Sequence, residues 1–371
     1  MLKTRARLVG ALVLGAALAF PIAAFAQQAA PAKPAASPAP PATAPTKDAG
    51  NVPAAPQVAA PKPAAGSTAV PGWNNPPAWD SSSERPQYSS IPGRETNRLI
   101  QGAGREWREF RNGPLTKLGG WLLVGILAAI AVFYLVRGPL VVHGQLTGRL
   151  IERFNAVERV SHWVMAICFV VLAISGLIII FGKHLVLPWL GYTAFSWLTV
   201  LSKNLHNFVG PLFIFSLVVM ILLYVKDNLP AKHDVEWLKK AGGMFGGPEV
   251  PSGKFNAGEK LWFWGGMVVL GTLVSVTGLI LDFPNWNQGR EAMQQANVIH
   301  AIVAVLFVGA SFGHIYLGTL GLPGAYGAMR DGYVDEQWAK EHHGIWYEEV
   351  KQGKRPEKFV AGTAQPAPGD D

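Results

Sequence analysis

The chain has 371 residues, is half hydrophobic and only 15% charged, and carries a formal net charge of +8. A soluble domain of ordinary composition holds nearer a quarter charged residues, so the shortage argues against a soluble enzyme and for lipid contact. The basic surplus lies between long apolar runs and is not interleaved with aromatics on a soluble surface, which excludes a nucleic-acid-binding domain and fits inter-helix loops.

Residues 1–26 read as an export signal. Lys3, Arg5 and Arg7 make a basic start, residues 8–20 are apolar, and Ala24-Phe25-Ala26 offers a small-x-small cleavage site. An uncleaved anchor is the alternative. Residues 27–117 form a periplasmic spacer and polar segment. As far as about Pro77 it is nearly all Ala and Pro and cannot bury a core. Beyond Pro77 it is rich in Arg and Glu, with a short helix expected near Arg105 to Arg111.

Five apolar runs follow, each near the ~20 residues a helix needs to cross the hydrocarbon core. They are Leu118–Val136, Val160–Phe181, Asn204–Val225, Leu261–Leu281 and Asn297–Leu322. The expected fold is an all-α integral membrane protein: a four-helix core over residues 150–325, an extra transmembrane helix over 118–136 in front of it, and a cytoplasmic tail over 326–371. Arg and Lys crowd the loops between the first and second and the third and fourth runs, and the tail after the fifth. The two remaining loops hold only Lys183, Lys203 and Arg290. The positive-inside rule therefore places the C-terminus in the cytoplasm of a bacterial inner membrane and the spacer outside. Residues 85–117 carry seven basic residues on that outer side, but long exported segments translocate largely regardless of charge.

Cys168 is the single cysteine and lies in an apolar run. It cannot supply a disulfide framework, a Cys-based zinc site or an iron–sulfur cluster, and no C-x-x-C-H exists for covalent haem attachment. Several of the thirteen tryptophans sit at the ends of apolar runs, where interfacial anchors belong.

The histidines carry the chemistry. His162, His206, His300 and His314 fall within or at the ends of membrane runs. Ionisable residues there are costly and functional by default, although one such histidine alone could equally bond a neighbouring helix carbonyl. His300 and His314 are fourteen residues apart on one helix, which is ~21 Å along the axis and almost four whole turns, so they share a face at two depths. His206 lies at the outer depth and His162 at the inner. The pairs His206/His300 and His162/His314 thus supply two axial imidazoles at each depth, the ligand set of two six-coordinate b-type haems acting as electron carriers. Ser175-Gly176, Gly210, Thr277-Gly278, Gly309 and Gly313 on the same helices leave room for flat macrocycles, although small residues also serve ordinary helix packing. His143, His184, His233, His342 and His343 lie in loops or the tail and read as solvated surface residues.

At these positions the sequence resembles the gamma subunit of respiratory formate dehydrogenase, a four-helix cytochrome b. The matching stretches are ERVSHW, NLHNFVGP, VIHAIV and GHIYLG around the four histidines. Two loop stretches, KDNLPAKHDVEWL and GKFNAGEKLWFW, match as well, as does the tail segment EHHGIWYEE. The likeness covers about residues 150 to 352, and the signal, spacer and extra helix depart from it. The resemblance implies the same haem pairing. It also implies a quinone (menaquinone or ubiquinone) reduced near the inner haem at Asn256, Gly258 and His314. Asn256-Ala257-Gly258 just before a helix can offer a side-chain amide and an exposed backbone group to a quinone carbonyl, or can simply cap the helix. The implied partners are an iron–sulfur beta subunit and a molybdenum or tungsten alpha subunit that oxidises formate outside the membrane, in anaerobic respiration. This chain holds no formate chemistry itself. The competing readings are the cytochrome b subunit of a nickel–iron hydrogenase or thiosulfate reductase, a haem-free membrane anchor, and a transporter with a histidine proton relay.

Overall fold

A computed structural model describes residues 102–247, 250–286 and 288–360. The expected export signal, the Ala/Pro spacer and most of the polar segment lie outside these residues. Among the described residues five helices are long and apolar enough to cross a membrane: Gly104–Arg137, Ala156–Leu185, Leu187–Tyr224, Ala257–Asp282 and Arg290–Gly321. All five runs read from the sequence are therefore helical to within one residue, and each helix begins before its apolar stretch.

The first span comprises α1 (Gly102–Phe110), a π-helical turn containing Pro114, and α2 (Thr116–Arg137). The polar segment thus continues straight into the extra helix. A short strand β1 (Leu150–Glu152) precedes α3 (Ala156–Leu185), which opens on a capping box: Asn155 Oδ1 accepts the Glu158 amide at 3.0 Å, and Glu158 accepts the Asn155 amide at 2.8 Å. Helix α4 (Leu187–Tyr224) bends at Gly191, whose φ of 70° only glycine adopts readily. Trp189, Tyr192 and Trp197 near that bend are exposed, as interfacial anchors should be.

After α5 (Lys232–Lys239), the fourth span begins as α6 (Ala257–Leu261) on a second capping box, Asn256 with Glu259 at 2.9 Å in both directions. It widens into π-helix over Trp262–Gly271 and returns to α-helix as α7 (Thr272–Asp282). The fifth span is α8 (Arg290–Tyr316) with a π-helical end.

Spans two to five form the bundle around a midplane core that includes Met165, Cys168, Phe213, Leu217, Met220, Met267 and Phe307. The extra span packs outside them, through Leu123 against Phe181, Val305 and Val308. Gly309, read from the sequence as room for a macrocycle, faces this extra helix instead. A Cβ there would meet Ile126 Cδ1 at 2.7 Å, so the glycine serves helix contact.

The end of the bundle that the sequence assigns to the cytoplasm, the inner end, is closed by a folded cap. Helices α9 (Ala325–Arg330), α10 (Glu336–His342) and α11 (Gly344–Lys351) alternate with strands β2 (Tyr333–Asp335) and β3 (Phe359–Val360). Strand β1 lies between β2 and β3, antiparallel to both, with Ile151 opposite Val334 on one side and Phe359 on the other. Ile151, Ala339 and Trp346 are fully buried there. Lys254 is buried among Glu158 at 2.9 Å, Glu357 at 3.4 Å and Asp227 at 3.7 Å. Arg355 ties Asp227 to Glu357, and Arg153 binds Glu259 at 2.9 Å and the Lys254 carbonyl at 2.8 Å. The loops before the second and fourth spans are thereby tied to the tail.

Candidate haem sites

The four membrane histidines meet in two pairs. The rings of His206 on α4 and His300 on α8 have centroids 6.0 Å apart, and those of His162 on α3 and His314 on α8 are 6.2 Å apart. Two metal–imidazole bonds of about 2 Å plus half a ring on each side amount to about 6 Å, so each pair is spaced to hold one iron between its rings. Among the described residues no group of three or more His, Cys, Asp or Glu is placed to chelate an ion. The donor set is therefore two lone pairs of imidazoles, which fits haem with its four ring nitrogens and no free-standing metal.

The outer pair is built twice by the same device. Ser175 on α3 donates its hydroxyl to the Val171 carbonyl at 2.7 Å and stands 2.9 Å from His206 Nδ1. Thr277 on α7 donates to the Leu273 carbonyl at 2.7 Å and stands 3.1 Å from His300 Nδ1. A hydroxyl has one proton, and here it is given to the helix carbonyl, so the oxygen must accept from the ring. Nδ1 then carries the hydrogen, and Nε2 keeps the lone pair that a metal needs. Gly176 and Gly278 follow the two hydroxyls. A Cβ on either would come within 3.3 Å of Cε1 of His206 or His300, so both glycines let a ring lie against helix backbone.

Sequence reading treated Ser175-Gly176 and Thr277-Gly278 only as small residues and missed their bond to the rings. The signal was present as a repeat. Asn155-Ala156-Val157-Glu158 leads to Ser175-Gly176-Leu177-Ile178, and Asn256-Ala257-Gly258-Glu259 leads to Thr277-Gly278-Leu279-Ile280. The second interval is one residue longer, and the π-helical stretch Trp262–Gly271 lies within it. Absorbing one extra residue is what a π-bulge does.

The inner pair is built from unlike parts. His162 Nδ1 is buried and has no hydrogen-bond partner among the described residues. His314 is instead held by a flat stack on Trp262, with centroids 4.8 Å apart and planes 11° from parallel. The Trp262 indole lies over Gly266, where a Cβ would come 2.6 Å from Cε3. Gly210 and Gly313 have open space where a Cβ would stand, in keeping with room for a bulky group.

Asn256 and Gly258 lie at the start of the fourth span. Asn256 Oδ1 is committed to its capping box, whereas its Nδ2 meets no protein acceptor among the described residues. Gly258 has a packing role of its own, since a Cβ would stand 2.8 Å from Trp237 Cη2.

The expectation that the five remaining histidines are solvated is wrong for His343. Its ring is fully buried between Trp338 and Trp346, with Nδ1 2.8 Å from the Gly253 carbonyl. Burial first, and then the Arg153 cation, push its pKa down to about 3. His342 is half-buried and pushed down to about 4, again mainly by burial. Its tail position gave no hint of this, because the cap that buries it is made by long-range contacts.

Membrane-crossing helices with facing histidines at two depths define a membrane cytochrome b. Residues 153–330 match the family model described as prokaryotic cytochrome b561. The nitrate-inducible formate dehydrogenase cytochrome b556(Fdn) subunit of Escherichia coli K12 is 30% identical over 219 residues, 58% of this chain and 98% of that protein. The formate dehydrogenase cytochrome b556(fdo) subunit of the same organism is 32% identical over 211 residues, 54% of this chain and 94% of its own length. The formate dehydrogenase cytochrome b556 subunit of Haemophilus influenzae is 29% identical over 225 residues, 57% of this chain and 87% of its own. The chain belongs to the family of the formate dehydrogenase cytochrome b556 subunits, and its residues 153–330 resemble the prokaryotic cytochrome b561 domain.

Proposed function

We propose that this chain is the membrane subunit of a formate dehydrogenase complex, passing electrons from a periplasmic iron–sulfur subunit through two bis-histidine b haems to a quinone near the cytoplasmic side. Formate itself is oxidised at a molybdenum or tungsten site in a third subunit. The observation that carries this reading is the spacing of the two ring pairs, 6.0 and 6.2 Å, each fit for one iron.

Haem, when bound, supplies one-electron carriage without open coordination for oxygen chemistry. The residues do the rest. His206 and His300 present Nε2 because Ser175 and Thr277 hold their Nδ1 hydrogens. His162 and His314 present theirs from a pocket shaped by Trp262. Asn256 Nδ2 is a ready donor for a quinone carbonyl at the inner end, with Gly258 and His314 beside it by the family resemblance. Quinone reduced there draws protons from the cytoplasm while electrons arrive from outside, so each turnover separates charge across the membrane. The crowding of basic residues in the cap supports this orientation.

The test is the visible spectrum of the chain purified with its partners, before and after anaerobic addition of formate. Two b-type haems per chain reduced by formate are expected. Reduction by dithionite alone would move the electron donor to a hydrogenase or a sulfur enzyme. Absence of haem would leave a membrane anchor. His314→Ala should remove one haem and block quinone reduction, and retention of both would sink the pairing.

A further inference from the structure

The two sites differ in how their ligands are hydrogen-bonded, and this difference bears on the direction of electron flow. We infer that Ser175 and Thr277 set the outer haem at the lower reduction potential, so that electrons run downhill from the outer site to the inner. The inference rests on the two-haem reading above and adds to it a role for two hydroxyls.

An imidazole that donates its Nδ1 hydrogen gains negative character and becomes a stronger donor through Nε2. A stronger donor favours the ferric over the ferrous ion, and second-shell hydrogen bonding is one of the means by which a protein moves a haem potential. Both outer ligands donate in this way, with the Ser175 hydroxyl at 2.9 Å and the Thr277 hydroxyl at 3.1 Å, beside the Leu172 and Val274 carbonyls that also accept from the rings. At the inner site the buried His162 Nδ1 has no acceptor among the described residues, and His314 rests on an apolar indole face. The inner ligands are therefore the weaker donors, and their iron is the easier to reduce.

Nearby charge acts in the same sense. The carboxylate close to the outer pair is Asp282, which has no cationic partner among the described residues. Glu259, whose charge is felt by His314, is paired with Arg153 at 2.9 Å. An uncompensated negative charge beside the outer site further favours its ferric state.

Ser175 and Thr277 are positioning residues, since neither touches the iron. The test is an anaerobic redox titration of the purified complex, followed by b-band absorbance and low-temperature EPR. Two one-electron components are expected in the unmodified protein. His300→Ala should remove the lower one and His314→Ala the higher. In the Ser175→Ala/Thr277→Val double variant the lower component should rise, while the higher stays in place. A tenfold change in the equilibrium between the two haems is ~59 mV for one electron. Ser175→Thr and Thr277→Ser, which keep the hydroxyls, should restore the original gap.

The inference is overturned if His300→Ala leaves the lower-potential component. It is equally overturned if the double variant keeps both haems with the lower component unmoved. The first result is read whether or not the double variant retains its cofactors. Finding fewer than two haems in the unmodified protein would instead defeat the functional reading on which the inference stands.

Discussion

The outer and inner ends of this bundle solve the same problem, holding an imidazole pair in lipid, by opposite means. At the outer end a single unit, hydroxyl then glycine on one helix against histidine on the next, is used twice, and few charges are nearby. At the inner end the supports are a tryptophan stack and a buried nitrogen without a partner, enclosed by a cap of paired charges and aromatic rings. A repeat can build a site at one depth from two equal halves. Where α8 must carry a second histidine, its counterpart on α4 fourteen residues beyond His206 is Met220, and the symmetry is given up. The outer site is therefore determined locally, by neighbouring helices. The inner one depends on the whole cap.

Removing a ligand at each end makes the largest test of that contrast. His206→Ala and His162→Ala should each lower the haem count from two to one per chain by pyridine haemochrome assay, with different spectral components lost. Lys254→Met strikes the cap alone. It leaves Glu158 buried without its cation, while Glu357 and Asp227 keep Arg355, and breaking such a buried pair costs about 3–5 kcal/mol. Thermal melts in detergent should fall and the inner haem should loosen, while the outer haem spectrum holds. A fall in both haems together would show the ends to be coupled.

Gly278→Ala strikes the outer end. Its Cβ would press on His300 Cε1 at 3.3 Å, and overpacking of this kind costs about 1–3 kcal/mol. The outer EPR signal should shift with the inner one unchanged. The smallest effect belongs to pH and should again be confined to the cap. His343 is pushed down to about 3, so it stays neutral when folded while the unfolded chain takes up a proton below its ordinary pKa near 6.5. Its contribution is complete above that value and is lost as pH falls toward about 3. Between pH 6 and 5 the loss approaches about 1.4 kcal/mol. His343→Asn should flatten that slope in melts recorded at each pH.

Much of this was legible in the chain. The apolar runs located all five spans, because ~20 residues free of charge have few other uses. The four histidines were legible because charge and depth made them conspicuous in lipid. Helix ends were less so: an apolar run marks where lipid is, whereas the helix continues through polar residues such as Asn155-Glu158 and Arg290-Gln295 that water or caps can satisfy. Ser175 and Thr277 looked like spacers because their second bond depends on a ring from another helix. His343 looked exposed because its burial comes from Trp338, Trp346 and the Gly253 carbonyl, the last of which lies far off in the chain.

The central strand of the cap has a consequence for biosynthesis. Strand β1 is translated before four of the five spans, and both strands that flank it come after the last of them. Until then its edges stay open, in the state that invites proteases and mispairing. A chain that stalls with a span still outside the bilayer cannot close this seam. Completion of the three-stranded sheet therefore has to wait until every span has been made.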